Sequence, residues 1–335
     1  MLFDMSNIFK PSVDNGGYYY SRLSDEQKSI YRIILSGIET YAEEIKLPMK
    51  PINEISMIFN RILLDNPTLF YTSSFSQIND LCKQKCIVKP DYKYSNKFVR
   101  QNTNHIKTCL QTFEALKTKR DIEKEMYVHD YCLNNFKYDY TFADYSYLVL
   151  GPVLNNTAVC EGIAKFVKLA FDYLGIESVV VSGKAKNPIN SATEGHAWNV
   201  VKIDGKTYHL DVTFDMTLKD KTNRYDYFNL TDEDIKKDHT ALDDLPVCST
   251  IGNDYFSVNS LVVFTPAELE KIIGNGLTQG KKNITVKLKN VKNTESVVDK
   301  VMSVSQQQYM KIYKRGVTVE VKYNLNQAVF DINFK

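Results

Sequence analysis

The fold is decided by three separated stretches, Val159-Cys160-Glu161-Gly162, Gly195-His196-Ala197-Trp198 and His209-Leu210-Asp211-Val212-Thr213. They bring a thiol, an imidazole and a carboxylate into the chain in that order. The thiol stands where a helix is expected to begin, and the other two groups belong to an expected β-hairpin. A nucleophile, a base and an orienting carboxylate are the groups that thiol chemistry on an acyl carbon requires. The candidate catalytic residues are therefore Cys160, His196 and Asp211.

A helix is predicted to follow Cys160, because the apolar residues after it recur at helical spacing. They are Ile163, Phe166, Val167, Ala170, Phe171 and Leu174. Gly175 is expected to end the helix, and Asn155-Asn156-Thr157 supplies candidate caps for its start. A cysteine in the first turn has the positive end of the helix dipole behind its sulfur, which lowers the thiol pKa, and its backbone N–H can face an oxyanion. The alternative is an ordinary buried helix cysteine.

Asp204-Gly205 is a two-residue turn signal between two strand-like runs. The runs are residues 198–203 and 206–212. This turn predicts that Thr213 lies opposite His196, and that Asp211 is a diagonal neighbour of His196 on the same face. The carboxylate can then fix the imidazole tautomer and leave the other ring nitrogen to the thiol. Two alternatives stay open: a polar hairpin face without catalytic role, and a three-residue loop that moves Asp211 to the opposite face.

The remaining histidines are predicted to be structural. His209 shares the predicted face of Asp211, where it could support the site from behind or be a satisfied core histidine, and we favour the structural role. His129 and His239 lack a comparable sequence context, and His105 lies in a polar helical stretch.

Longer strings surround the three reactive groups. They are Ala158-Val159-Cys160-Glu161-Gly162-Ile163-Ala164-Lys165, Gly195-His196-Ala197-Trp198-Asn199-Val200-Val201, and Tyr208-His209-Leu210-Asp211-Val212-Thr213-Phe214-Asp215, followed by Tyr227-Phe228-Asn229-Leu230-Thr231 and Asp238-His239. This sequence resembles the transglutaminase-like superfamily, the papain-like thiol fold with a permuted chain order. With their flanks, the strings that carry the resemblance cover about residues 121–240.

The resemblance implies an α+β core in which the nucleophile helix packs on an antiparallel sheet that carries the other two residues. It implies that Cys160 is the nucleophile, His196 the base and Asp211 the residue that orients the base. Family members often complete the oxyanion hole with a side chain from the segment before the nucleophile. Four tyrosines are candidates for that position: Tyr138, Tyr140, Tyr145 and Tyr147.

Composition limits the function classes. The 335 residues are 43% hydrophobic and 24% charged, which is typical of a soluble globular chain of two or three compact units. A net charge of +2 gives no strong field for nucleic acid or anionic lipid, and no apolar run approaches membrane-spanning length. The start, Met1-Leu2-Phe3-Asp4-Met5, lacks the features of a signal peptide. A cytoplasmic location is therefore expected, with secretion as the alternative if the chain is trimmed.

Neither a cofactor nor a metal is predicted. The six cysteines are Cys82, Cys86, Cys109, Cys132, Cys160 and Cys248. A reactive thiol suits a reducing compartment, although an even count permits disulfides. Cys82 and Cys86 form a tempting metal pair, but the second pair that a structural zinc site needs is missing.

Three regions are expected along the chain. Residues 1–120 are a helical N-terminal region with an irregular arm over 1–20 and a capping box at Ser24 and Gln27. Residues 121–250 are the transglutaminase-like catalytic core. Residues 251–335 are a small α+β unit with the order αβαββ, in which Thr265 caps the first helix and a second helix runs from Glu295 to Tyr313.

The predicted function is thiol-dependent acyl transfer. Cys160 attacks a peptide or glutamine-type amide to give a thioester, which water or an amine then resolves. Hydrolysis, as in a cysteine peptidase or amidase, is favoured because water is always available. The alternatives are a protein cross-linking transglutaminase and a non-catalytic protein-binding module on the same fold. The expected partner is a protein or peptide substrate, without nucleic acid or membrane insertion.

Overall fold

The computed structural model describes residues 17–289 and 295–335, and the architecture is α+β, as predicted. An irregular arm was predicted for residues 1–20, and its first 16 residues lie outside the described residues. From Tyr18 the chain is helical rather than irregular, and the ring of Tyr19 is buried. Within the two described ranges, every helix is too short or too polar to cross a bilayer.

The N-terminal part of the chain combines helices with a small sheet. Its elements are α1 (Tyr18–Ser21), α2 (Asp25–Glu39), β1 (Ile45–Pro48), α3 (Ile52–Asp65), β2 (Thr72–Asp80), β3 (Lys85–Tyr92) and α4 (Asn96–Gln111), with a 3₁₀ turn at Glu114–Leu116. The capping box of Ser24 and Gln27 begins α2, as predicted. The antiparallel strands, in the order β1-β3-β2, correct the expectation of a helical region by adding a sheet. Alternate burial is limited to Ile45 and Leu47 of β1 and to Cys86, Val88 and Pro90 of β3, so the strand signal in the sequence is short.

The central part of the chain builds the main sheet and the helix that follows Val159. Its elements are α5 (Asp121–Asn135), β4 (Lys137–Tyr138), β5 (Thr157–Ala158), α6 (Cys160–Leu174), β6 (Ser178–Lys186), β7 (Thr193–Ile203), β8 (Lys206–Leu210), α7 (Val212–Leu218), α8 (Asp232–Ile235) and β9 (His239–Ala241), with a 3₁₀ turn at Asp144–Tyr147 and a π-helical turn at Gly151–Asn155. The antiparallel strand order is β8-β7-β6-β9. Helix α6 lies between this sheet and helices α4 and α5. It is therefore buried on all sides from Gly162 to Phe171, as expected of a helix with few polar positions.

The C-terminal part contains the predicted order αβαββ. Its elements are α9 (Tyr255–Val258), β10 (Val262–Val263), α10 (Pro266–Thr278), β11 (Asn283–Leu288), α11 (Glu295–Tyr313), β12 (Val319–Asn324) and β13 (Val329–Phe334). Thr265 caps α10, as predicted. Strand β10, which the sequence analysis missed, pairs in parallel with β11 and completes the order β10-β11-β13-β12. Apolar side chains of these elements form a hydrophobic cluster of their own.

One hydrophobic core joins the N-terminal part to the central part. It extends from Leu23 to Phe228 and includes Phe166 of α6. The helix that begins at Cys160 therefore packs against side chains from both parts. The division into regions 1–120, 121–250 and 251–335 stays a prediction.

The start of α6 lies tightly against the 3₁₀ turn at Asp144–Tyr147. The Val159 N–H donates to the Ser146 carbonyl oxygen at 3.1 Å. A Cβ atom added to Gly162 would lie 2.2 Å from the same oxygen, so only glycine permits this approach. The Ser146 hydroxyl donates to the carboxylate of Asp139, which also accepts the Thr141 N–H at 2.8 Å. The turn is thus held from both sides.

Gly162→Ala should destabilise the protein and displace the start of α6. The added methyl group meets a backbone carbonyl rather than a flexible side chain, and overpacking of this kind costs about 1–3 kcal/mol. Gly274→Ala in α10 is the matched control, because its Cβ would meet nothing closer than 3.7 Å. That variant should be neutral or gain up to about 1 kcal/mol from helix propensity. Urea unfolding measures both, and equal effects would contradict the packing argument.

Candidate active site

Cys160 is the first residue of α6, as the sequence predicted. The predicted cap at Asn155-Asn156-Thr157 is wrong, because Asn156 is left-handed (φ 52°) and Thr157 enters strand β5. The residue before the helix is Val159, whose side chain makes no capping hydrogen bond. Cys160 therefore lies at the positive end of the helix dipole, at a helix start that its N-cap side chain does not cap.

The predicted hairpin is correct up to Leu210. Ile203 pairs with Lys206 across Asp204-Gly205, and the ladder ends where Asn199 pairs with Leu210. The predicted pairing of His196 with Thr213 is wrong, because the chain leaves the sheet after Leu210 and begins helix α7. Asp211 is the N-cap of that helix, a position that favours aspartate.

His196 and Asp211 nevertheless meet. His196 Nε2 lies 2.7 Å from Asp211 Oδ2, and the Asp211 side chain is completely buried. The other carboxylate oxygen, Oδ1, accepts the Phe214 N–H at 3.1 Å and so caps α7. The cap fixes the carboxylate, and the carboxylate fixes the imidazole with Nε2 occupied. Nδ1 is the nitrogen left for the thiol.

The charges of the site favour a protonated imidazole. Burial lowers the pKa of His196, but the charge and hydrogen bond of Asp211 and the contact with Cys160 outweigh it and raise the pKa to about 10. Burial likewise raises the pKa of Asp211, but the two neighbouring imidazoles bring it below the usual range of aspartate. At neutral pH the site therefore holds an imidazolium between the carboxylate of Asp211 and the side chain of Cys160.

Asn199 attaches the strand of His196 to the nucleophile helix. Its buried Nδ2 donates to the Ala164 carbonyl oxygen of α6 at 3.0 Å and lies 3.4 Å from the Val179 carbonyl oxygen. A buried amide that links helix and sheet fixes the distance between Cys160 and His196. The sequence analysis gave Asn199 no role, although it follows Trp198 directly.

The structure places His239 in the site, which corrects its assignment as a histidine without a special context. Strand β9 pairs with β6 and brings His239 Nε2 to 3.0 Å from Asp211 Oδ2. His239 Nδ1 lies 2.6 Å from Asp238 Oδ1. In the sequence, the only hint of this role was the adjacent pair Asp238-His239. The residue that His239 contacts in the site, Asp211, is 28 residues away along the chain.

The other histidines have different surroundings. His209 receives the Trp198 indole N–H at its Nδ1 (3.1 Å) and contacts Asp232 through Nε2 (2.9 Å), consistent with the predicted structural role. His129 is buried between Asp130 and Asp215, and His105 is exposed on α4.

Within residues 17–289 and 295–335, two groups of side chains have donor atoms close enough to surround a metal ion. They are His196, Asp211 and His239, and His209, Asp232 and Cys248. Hydrogen bonds within the protein already occupy the imidazole nitrogens of the second group and the shared carboxylate oxygen of the first. The Cys82–Cys86 pair is split between an exposed and a buried position. We therefore assign no metal to these residues.

Two pockets lie near the start of α6. The first, of about 330 Å³, is lined by His196, Glu194 and Phe214 together with Tyr138 and Tyr140. The second, of about 670 Å³, is lined by Glu161, Tyr147 and residues of α3.

Among the four tyrosines that the sequence left open, Tyr138 and Tyr140 line the pocket that contains His196. Burial raises the pKa of the Tyr138 phenol most, and the charge of Cys160 raises it further.

Residues 110–212 match the model of the Transglutaminase-like superfamily, and the matched range contains Cys160, His196 and Asp211. The predicted resemblance is thus confirmed over these residues.

Two solved structures are similar in part. "Crystal structure of a TGase" is 19% identical with a TM-score of 0.29, over 54% of this chain and 53% of that chain. A structure described as "a Putative Cysteine Protease from Cytophaga hutchinsonii" is 10% identical with a TM-score of 0.28, over 42% of this chain and 61% of that chain. The present chain thus spans 53% and 61% of the lengths of these structures. No curated protein matches it.

The ion pair of His196 predicts a pH-dependent contribution to stability. The imidazole titrates near 6.5 in an unfolded chain and at about 10 in the folded protein, so the folded state binds the extra proton between these values. The contribution is complete below about pH 6.5 and falls as the pH rises towards 10, by at most about 1.4 kcal/mol per pH unit. The difference in free energy of unfolding between wild type and His196→Gln should shrink over this interval. A difference for His196→Gln that stays constant over this interval would contradict the charged imidazole.

Proposed function

We propose that this protein is a thiol-dependent acyl-transfer enzyme that acts on peptide or glutamine-type amides. The observation that carries the proposal is the 2.7 Å contact between His196 Nε2 and Asp211 Oδ2, with the thiol of Cys160 against the same imidazole. The match of residues 110–212 to the Transglutaminase-like superfamily supports the class of reaction. The substrate, in this proposal, is an amide of a protein or peptide.

In the first step, the Cys160 thiolate attacks the amide carbon. The new S–C bond moves the carbonyl electrons onto oxygen, and the backbone N–H of Cys160 donates to the resulting oxyanion. The phenol of Tyr138 is the favoured second donor, because it lines the pocket that contains His196 and because the charge of Cys160 raises its pKa. When the oxyanion collapses, the C–N bond breaks and the amine leaves with the proton of the His196 imidazolium. A thioester and a neutral imidazole remain.

In the second step, water resolves the thioester. The neutral imidazole of His196 takes a proton from the water as its oxygen attacks, and the C–S bond breaks to return the thiolate and the imidazolium. Asp211 transfers no proton in either step, because its role is to keep Nε2–H bound and Nδ1 free. Hydrolysis is favoured because water reaches the half-buried thiol without a dedicated binding site.

Iodoacetamide labelling tests whether the thiol is activated. Cys160 should react well below pH 8 and before the other cysteines, because burial raises the pKa of thiols such as Cys248, to about 12. In His196→Ala, the reaction of Cys160 should shift towards the free thiol value of about 8.5. Mass spectrometry identifies the labelled residue, and Cys160→Ala is the blank. Equal labelling of Cys160 and the exposed Cys82 at pH 6–7 would favour the non-catalytic binding module instead.

Asp211→Asn tests the orienting role. The Asn oxygen can keep the cap on Phe214, but its NH₂ group then faces Nε2 of His196 and requires that nitrogen to be unprotonated. The proton moves to Nδ1, where the thiol needs a base. We expect kcat to fall, by less than the roughly 10⁴ of the serine-protease example, because a thiolate–imidazolium pair depends less on its third member. Full activity with an unchanged Tm would leave Asp211 without a catalytic role.

A second candidate is transfer to an amine, as in protein cross-linking. It is favoured by the 330 Å³ pocket beside His196, whose described lining includes aromatic rings and one carboxylate, Glu194. Aromatic faces and a carboxylate suit an ammonium group. Tagged peptides incubated with and without a fluorescent alkylamine separate the two reactions in wild type and Cys160→Ala. Amine incorporation that Glu194→Gln reduces, but Glu177→Gln does not, would replace hydrolysis by transamidation as the proposed reaction.

A further inference from the structure

The carboxylate of Asp211 serves two imidazoles with a single oxygen atom. Oδ2 lies 2.7 Å from His196 Nε2 and 3.0 Å from His239 Nε2. Because Oδ1 is occupied by the helix cap on Phe214, no rotation of the carboxylate improves one contact without breaking another. Both imidazoles must present an N–H to this oxygen, so His239 is protonated on Nε2.

The far side of His239 faces a second carboxylate. Its Nδ1 lies 2.6 Å from Asp238 Oδ1, and Asp238 Oδ2 accepts the Tyr227 hydroxyl at 2.8 Å. Gln327 from the C-terminal sheet approaches the same oxygen at 3.4 Å through Nε2, which also donates to the Asp234 carbonyl oxygen at 3.1 Å. A continuous series of contacts therefore runs from the thiol to the C-terminal part of the chain.

We propose that His239 is a positioning residue for the proposed acyl-transfer reaction, which fixes the carboxylate of Asp211 and, held between Asp211 and Asp238, places a second positive charge behind His196. The inference rests on the proposed function, because it assigns His239 an effect on the reactivity of Cys160 and His196.

The surroundings of His239 give this charge a large effect. The groups that face its ring are His196 and Trp198 from β7, Asp211 and Phe214 at the start of α7, Tyr227, and Asp238 on its own side. The rings of His196 and His239 have centroids 5.4 Å apart, and His239 is buried beside the indole of Trp198. Burial lowers the pKa of His239, but the hydrogen bonds to Asp211 and Asp238 raise it above the ordinary value.

A cation at this distance opposes the protonation of His196 and supports the thiolate of Cys160. Without it, Asp211 acts on His196 unopposed and holds the imidazolium more strongly. In a plot of activity against pH, the rise at low pH reports loss of the thiol proton, and the fall at high pH reports loss of the imidazolium proton. Both should then move to higher pH, because both groups lose their protons less readily.

Three variants separate positioning from charge. His239→Leu removes the N–H and the charge, and His239→Gln keeps an N–H donor at the place of Nε2 without a charge. Asp238→Asn leaves the imidazole in place but removes the carboxylate that keeps it protonated. His129→Gln is the matched control, because His129 is also buried between two carboxylates, at 3.1 Å from Asp130 and 3.1 Å from Asp215, but does not contact the candidate active site.

The measurements are kcat and KM for a peptide that wild type hydrolyses, and the pH profile of Cys160 alkylation on the full chain. We expect His239→Leu to lower kcat about 10- to 100-fold with little change in KM, the range found when an outer hydrogen-bond partner of a metal-ligating residue is removed. His239→Gln should recover most of kcat. All three variants should shift the alkylation profile upwards by about one pH unit, and His129→Gln should not.

Several outcomes would overturn the inference. One is a His239→Gln variant with no more activity than His239→Leu, and another is an alkylation profile that stays at its wild-type position in His239→Gln and Asp238→Asn. If His129→Gln shifts the alkylation profile as far as these variants do, the shift reflects a general loss of stability rather than the charge of His239. If His239→Leu does not fold, the profiles of the other two variants decide alone. If Cys160 of the wild type is not alkylated well below pH 8, the proposed function fails together with this inference. If it is, but the profiles of the His239 and Asp238 variants equal that of the wild type, only this inference fails.

Discussion

The buried carboxylate of Asp211 is the constraint on which the arrangement of the site depends. A charge removed from water is very costly unless it is paired and hydrogen-bonded. Asp211 meets this requirement with the backbone of α7 on one oxygen and two imidazoles on the other. The end of β8, the start of α7, strand β7 and strand β9 must therefore converge on one point. Any of these elements in another place would leave a buried charge without a partner.

A comparison with Asp215, one turn later in α7, shows how strongly the partners decide the charge. Asp215 is also buried and also contacts a histidine, His129 at 3.1 Å. Burial and the nearby charge of Asp226 raise the pKa of Asp215, whereas the two imidazoles hold that of Asp211 low. The carboxylate that contacts His196 therefore favours its ionised form, whereas the carboxylate of Asp215 favours it less.

Cys160 is placed beside His196 by packing rather than by charge. Helix α6 has side chains of the N-terminal part on one side and the main sheet on the other, so its axis has little freedom. Gly162 brings its first turn against the Ser146 carbonyl oxygen, and Asn199 ties its second turn to β7. These contacts preorganise the distance between thiol and imidazole before a substrate arrives, which is how a site avoids reorganisation during the reaction.

The sequence by itself determined the local features of this protein. Helical spacing after Cys160 defined α6, and Asp204-Gly205 defined the hairpin, because both signals act over a few residues. The sequence also singled out Cys160, His196 and Asp211 as candidates, and the structure brings their side chains together. The sequence did not predict that β8 ends at Leu210. An aspartate can cap a helix or continue a strand, and only the hydrogen bond from the Phe214 N–H shows that Asp211 is a cap. The place of His239 beside Asp211 was decided by the pairing of β9 with β6, a contact between distant segments that leaves no periodic pattern in the chain.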